Sequence, residues 1–181
     1  MIIKDKDKFY KRLFIYRYLK FLNFESGIKD EELQTIIRGL NIKSRYKRIK
    51  FVIDESCNYI DNYYKDCNLC HFKNNKCICH RKKNKNYING CCRTCKYQSN
   101  KGCTTKNVAC KLFNCSYVDL NGKKKLTVKD VKILYLLNFY QRYVISTDFF
   151  VTPKTVARDL YVGPMMLLLL LILRIILWVI V

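Results

Sequence analysis

The stretch Cys67-Asn-Leu-Cys70-His-Phe-Lys-Asn-Asn-Lys-Cys77 recurs, after a basic run, as Cys92-Arg-Thr-Cys95-Lys-Tyr-Gln-Ser-Asn-Lys-Gly-Cys103. Each copy opens with a C-x-x-C pair. An aromatic residue, Phe72 or Tyr97, follows two positions after the second cysteine. Each copy then has Asn-Lys and a third cysteine, and Gly102 is the extra residue of the second copy. Two thiolates three residues apart converge on one tetrahedral ion, and a polar turn brings back the third and fourth ligands. Apolar periodicity fades here, so a metal has to supply the order that a thin core cannot.

Ten of the chain's 11 cysteines fall between Cys67 and Cys115. The repeat itself supplies Cys67, Cys70, Cys77, Cys92, Cys95 and Cys103 as metal ligands. Cys79, His80 or Cys91 can close the first site and Cys110 or Cys115 the second; a crossed arrangement between the copies is equally open. The ligand set is therefore Cys67, Cys70, Cys77, Cys79, Cys92, Cys95, Cys103, Cys110 and Cys115. Zinc is the expected metal. An iron–sulfur cluster, which also takes four thiolates, is the alternative. Disulfides are the competing reading, although an odd cysteine total in an oxidising compartment leaves one thiol unpaired. His71 and His80 each read equally well as ordinary loop histidines. Lys73, Lys76, Arg93, Lys96 and Lys101 would favour thiolates by lowering thiol pKa.

Residues 90–115, from Gly90-Cys91-Cys92-Arg-Thr-Cys95 through Gly102-Cys103-Thr and Ala109-Cys110-Lys to Cys115, resemble uncharacterised bacterial cysteine-rich proteins with a GCC-x-x-C…GCT…ACK…C core. The resemblance lies within the central third of the chain and implies no catalytic residue.

The flanks read as helices. Residues 5–24 form the first, with Phe9, Leu13, Phe14, Tyr16, Leu19, Phe21 and Leu22 as apolar positions. Packing on the next two helices is preferred for it over lying on a membrane surface, where basic and aromatic residues also mix. Asp30 caps a second helix through Leu40, with Leu33, Ile36, Ile37 and Leu40 at helical spacing. Ser44 caps a third to about Tyr64, with the stripe Tyr46, Ile49, Val52, Ile53, Cys57, Ile60 and Tyr64. Cys57 lies on that stripe and reads as a small buried hydrophobe rather than a ligand. Thr127 with Asp130 resembles a capping box opening a helix through about Ile145, and Thr152-Pro153 opens a short helix beyond it.

Met165 to Val181 is apolar except for Arg174, and Val162, Gly163 and Pro164 can extend the run to spanning length. Thirteen Leu, Ile and Val residues at roughly −0.3 to −0.6 kcal/mol each outweigh one arginine at about +3 kcal/mol. Arg174 is expected to snorkel or to pair. Lys154 and Arg158 precede the run, which places the preceding domain on the cytoplasmic side. Met1-Ile2-Ile3 runs directly into Lys4-Asp5-Lys6-Asp7-Lys8, without the apolar stretch of a signal peptide.

The expected fold is mostly α: helical segments flank a small irregular cysteine-rich, metal-stapled insert, and a transmembrane helix ends the chain. The divisions are 1–66, an N-terminal helical region; 67–126, the basic cysteine-rich insert; 127–160, C-terminal helices; and 164–181, the anchor. Of the net charge of +21, +13 lies in residues 67–126, which hold 14 Lys and Arg against Asp119 alone. Such a field attracts an acidic protein, anionic lipid or nucleic acid. No small-molecule substrate is identifiable.

Three functions follow. The first is a membrane-anchored metal-binding scaffold or recruitment module. The second is a zinc-stapled nucleic-acid binder using Arg81-Lys82-Lys83, Lys123-Lys124-Lys125, Phe72 and Tyr97, although no reading helix or zinc-finger spacing is present. The third, an iron–sulfur or thiol redox enzyme, ranks last: the insert has no Ser-His-Asp set and no paired carboxylates.

Overall fold

The computed structural model describes residues 1–67, 72–73, 76–77, 97–99, 102–113, 120–149, 151–163, 169 and 172. Helix α1 spans Lys6–Tyr16, with the Asp5 carboxylate accepting the Lys8 amide at 2.9 Å. It ends well short of residue 24. Beyond Tyr16 the hydrogen bonds shorten to three-residue turns, from Tyr18 N to Ile15 O and from Leu19 N to Tyr16 O. Tertiary contacts override the local pattern here. The Arg17 guanidinium reaches across to Leu137 O at 2.7 Å, and Phe24 must turn inward to reach the core. The Asn41 side chain then holds both the amide and the carbonyl of Phe24, at 2.8 and 2.9 Å. Of the apolar positions on this segment, Phe9 and Leu13 are buried, so α1 is a packed helix, whereas Phe14, Tyr18 and Phe21 are exposed.

Helix α2 spans Glu31–Asn41 and α3 spans Arg45–Tyr63. Asp30 and Ser44 cap them as the sequence predicts, each accepting the amide three residues on. Leu33, Ile36, Ile37 and Leu40 of α2 are buried against Ile49, Val52, Ile53, Cys57 and Ile60 of α3. Gly39 permits the close approach of this layer: a Cβ there would stand 2.5 Å from Leu136 Cδ1 and 3.2 Å from a Phe51 ring carbon.

After the cysteine-rich stretch, α4 (Val108–Leu112) and the segment at 120–126 rejoin the same core. Val108, Ala109 and Leu126 are buried. The helix predicted from Thr127 to Ile145 is replaced by three pieces. Thr127 and Asp130 do hydrogen-bond, through the Thr127 amide and hydroxyl, but they close a turn. A 3₁₀ segment, Lys132–Leu136, follows, and then α5, Phe139–Thr147. Val131, Ile133, Leu134, Leu136 and Leu137 are all buried, more than one stripe of an α-helix can cover. The tighter turn wedges them among the surrounding helices, and Asn138 then restarts the helix in a capping box with Gln141. A last helix, α6, occupies 153–163, with Thr152 Oγ1 accepting the Thr155 amide at 3.3 Å.

The protein is mostly helical, with two short antiparallel hairpins within the cysteine-rich stretch. No helix among the described residues is long and apolar enough to cross a membrane. The predicted span at 164–181 lies outside the described residues except for Leu169 and Ile172, which are helical and exposed.

Candidate functional site

Each copy of the cysteine repeat folds its second half into a hairpin. Strand β1 (Phe72–Lys73) pairs antiparallel with β2 (Lys76–Cys77), Phe72 lying opposite Cys77. Strand β3 (Gln98–Ser99) pairs with β4 (Gly102–Cys103), Gln98 lying opposite Cys103. Both registers leave two residues between the strands and put the third cysteine of the copy on the returning strand. The extra residue of the second copy therefore does not fall at Gly102. It precedes the hairpin, because β3 starts three positions after Cys95 whereas β1 starts two after Cys70. A two-residue loop is the shortest that closes an antiparallel pair, which fixes the count inside both hairpins. The Tyr97 carbonyl extends the second hairpin by accepting both the amide and the hydroxyl of Thr104, at 2.8 and 2.9 Å.

The stretch is pinned to the helical body at both ends. Cys67 sits just past α3, its amide donating to Tyr64 O at 2.9 Å and its thiol to Leu120 O at 3.4 Å. Lys123 Nζ donates to Tyr63 O at 2.8 Å on the same side. At the far end, Asn107 caps α4 by accepting the Cys110 amide, and its side-chain amide reaches Asp148 O and Val151 O at 2.7 and 3.1 Å. Lys111, buried on α4, pairs with Asp61 of α3.

Of the nine predicted ligands, Cys67 and Cys110 are half-buried at these two anchor points. Cys77 and Cys103 take matching places on the returning strands. Cys70, Cys79, Cys92, Cys95 and Cys115 lie outside the described residues. Among the described residues no group of three or more metal-ligating side chains converges. Cys57 behaves as the sequence suggests: it is buried, and burial pushes its thiol up to about 12, against the opposing pull of Lys111.

The basic residues divide unevenly. Arg81, Lys82 and Lys83 lie outside the described residues. Lys123 pairs with Asp66 and lies over the Tyr63 ring, while Lys124 pairs with Asp130, so two of the three lysines of that run are engaged within the chain. The Thr127 hydroxyl, followed by the Lys124 ammonium, holds the Asp130 carboxyl well below the usual carboxylate range. No local sequence signal marks the groove of about 370 Å³ between α2, α3 and the 3₁₀ segment, lined by Glu31, Glu32, Glu55, Tyr59 and Tyr63 and by Lys132, which pairs with Glu32. Its carboxylates come from two helices, and no local pattern joins them.

No family model, no characterised protein and no solved structure matches the chain.

Proposed function

We propose that this protein is a membrane-tethered metal-binding module, with zinc held by its cysteine repeat, that scaffolds or recruits a partner. The observation carrying this reading is the duplicated unit of C-x-x-C, antiparallel hairpin and third cysteine on the returning strand. The pair supplies two thiolates and the hairpin returns a third, the order of ligands that a tetrahedral structural zinc site uses. Cys67, Cys70 and Cys77 would serve one site, and Cys92, Cys95 and Cys103 the other. Cys79, Cys110 and Cys115 are the closing ligands. The metal would supply folding free energy and a rigid shape rather than chemistry on a substrate. An iron–sulfur cluster on the same thiolates is the second reading, since the chain has more cysteines than two zinc sites need.

The tether is residues 164–181, which α6 leads into and whose composition suits a bilayer core. Lys154 and Arg158 put the module on the cytoplasmic side. The strong positive charge then suits an acidic protein partner or anionic lipid. Two measurements test the proposal. Elemental analysis and a visible spectrum of the full chain, purified without oxygen, should give zinc and no colour; a brown protein containing iron would favour the second reading, and the absence of any metal would end both. Alkaline carbonate should fail to extract the chain from membranes; release into the supernatant would reject the tether.

A further inference from the structure

A cavity of about 340 Å³ opens where the end of α1, the start of α3 and the junction before α5 meet. Its cationic wall is Arg17, Lys20, Arg45 and Arg48, and no aspartate or glutamate lines it. Among the described residues, none of these four cations pairs with a carboxylate. What sets the gathering apart is that four cations share one cavity wall without a counter-charge. Arg48 is buried with its guanidinium fixed by three backbone carbonyls, those of Arg17, Leu40 and Ile42. The Arg17 Nε–H is buried without a hydrogen-bond partner.

The helix ends strengthen the field. Arg45 is the first residue of α3, and Lys47 and Arg48 follow, with no acidic residue in that first turn. The first turn of α5, beside Asn138 in the same wall, also has none. Helices α1 and α2 instead carry Asp7, and Glu31 with Glu32, in their first turns. Cations at the positive end of a helix repel its dipole, and a bound anion removes that conflict.

The location names the source of the anion. The Arg45 guanidinium lies over the Tyr161 ring at 5.5 Å, and Tyr46 meets the same ring edge-on at 5.9 Å. Gln141, also in the wall, donates to Leu160 O at 2.9 Å. Leu160 and Tyr161 of α6 therefore lie beside the cavity, a few residues before the apolar run. Tyr18, which lines the cavity, and Tyr161, beneath Arg45, are exposed, as are Phe21 and Phe139, the chain neighbours of its lining residues Lys20 and Asn138; tyrosine is enriched at the boundary between water and lipid.

We propose that this cavity binds the phosphate of an anionic phospholipid headgroup. Arginine matches phosphate geometrically through its fork of donors, and the volume admits a phosphate with its attached glycerol. The inference rests on the membrane tether proposed above.

The test titrates the full chain, in a neutral detergent, with dihexanoyl phosphatidic acid, dihexanoyl phosphatidylcholine and inorganic phosphate, read by calorimetry. Phosphatidic acid should bind at least about tenfold more tightly than the other two. The variant K20Q/R45Q, which leaves Arg17 and Arg48 in place, should lose about tenfold in that affinity, and K20Q alone a smaller share. The variant K11Q/R12Q, with the same charge change on the exposed face of α1, should match the wild type. Equal binding of both lipids, or equal losses in the two double variants, would overturn the proposal. Inorganic phosphate binding as tightly as phosphatidic acid would reassign the cavity to a free anion. Carbonate extraction of the wild-type chain tests the tether separately. A chain released from membranes that still selects phosphatidic acid in detergent would overturn the tether and support the cavity.

Discussion

The phenolic oxygen of Tyr64 accepts a hydrogen bond from the buried backbone amide of Leu126 at 2.7 Å. The bond joins the end of α3 to the point where the chain leaves its cysteine-rich stretch, sixty-two residues later. Replacing Tyr64 with Phe keeps the ring and strands the Leu126 N–H in the interior. A buried amide without an acceptor costs about 1–3 kcal/mol. Tyr63 is the comparison, because its hydroxyl donates to the Lys124 carbonyl at 3.2 Å in an exposed setting. Chemical unfolding followed by circular dichroism should show a lower midpoint for Tyr64→Phe and almost none of that loss for Tyr63→Phe. Equal midpoints would show that the clasp contributes nothing.

Arg48 closes the end of α2. Its guanidinium donates to Leu40 O and Ile42 O and, on its other side, to Arg17 O at 3.0 Å. Three helices thus share one side chain, which satisfies carbonyls that the α2 terminus leaves open. Arg48→Met fills the space and removes every donor, so a loss of about 3 kcal/mol or more is expected. Arg48→Lys should recover only part of it, because an ammonium cannot span the same fork. Unfolding midpoints of the two variants check the order, and a Lys variant as poor as Met would argue against partial recovery of the donors.

The contrast between the legible and illegible parts has a physical source. Asp30 and Ser44 as caps, and the stripe from Ile49 to Tyr64, were readable because caps and helical spacing are local signals. The end of α1 was not readable, since it depends on Arg17 finding Leu137 across 120 positions. The 3₁₀ segment was missed because Thr127 and Asp130 make the same local bonds in a turn as in a capping box. The duplicated cysteine unit was legible, but the place of its extra residue needed the hairpin registers. The basic cavity draws Arg17, Arg45 and Gln141 from three elements, so no stretch of sequence announces it.

Cys57 should be an unreactive thiol in the native protein. Burial holds its pKa up at about 12, whereas an unfolded thiol titrates near 8.5. Its neutral form is therefore compatible with folding below the unfolded value. As pH rises from there towards the folded value, the unfolded chain ionises first and the stability associated with this group is lost. Iodoacetamide at mildly alkaline pH, followed by peptide mapping, should leave Cys57 unmodified in the native protein and modify it after denaturation. Cys57→Ala should soften the alkaline fall in stability. Rapid native alkylation would show that α3 opens far more readily than its packing implies.

Metal content separates the repeat cysteines from Cys57. Cys95 is the second member of a C-x-x-C pair, and its removal leaves a site one thiolate short of its set. Cys95→Ser should lose about half of the roughly two zinc ions that two mononuclear sites hold. Helices α1 to α3 should survive, because their buried core is built from apolar residues outside the repeat, with Cys67 packed only against its edge. Cys67→Ser should cost metal too and, in addition, disturb the contact of its thiol with Leu120 O. Cys57→Ala should keep the full complement, since that thiol is buried among Val52, Ile53 and Ile60. The measurement is metal per chain, under reducing conditions and without oxygen, alongside helical circular dichroism. Equal metal in the wild type and Cys95→Ser would remove Cys95 from the ligand set. No metal in any variant, with disulfides protecting the cysteines instead, would reverse both the metal assignment and the cytoplasmic placement.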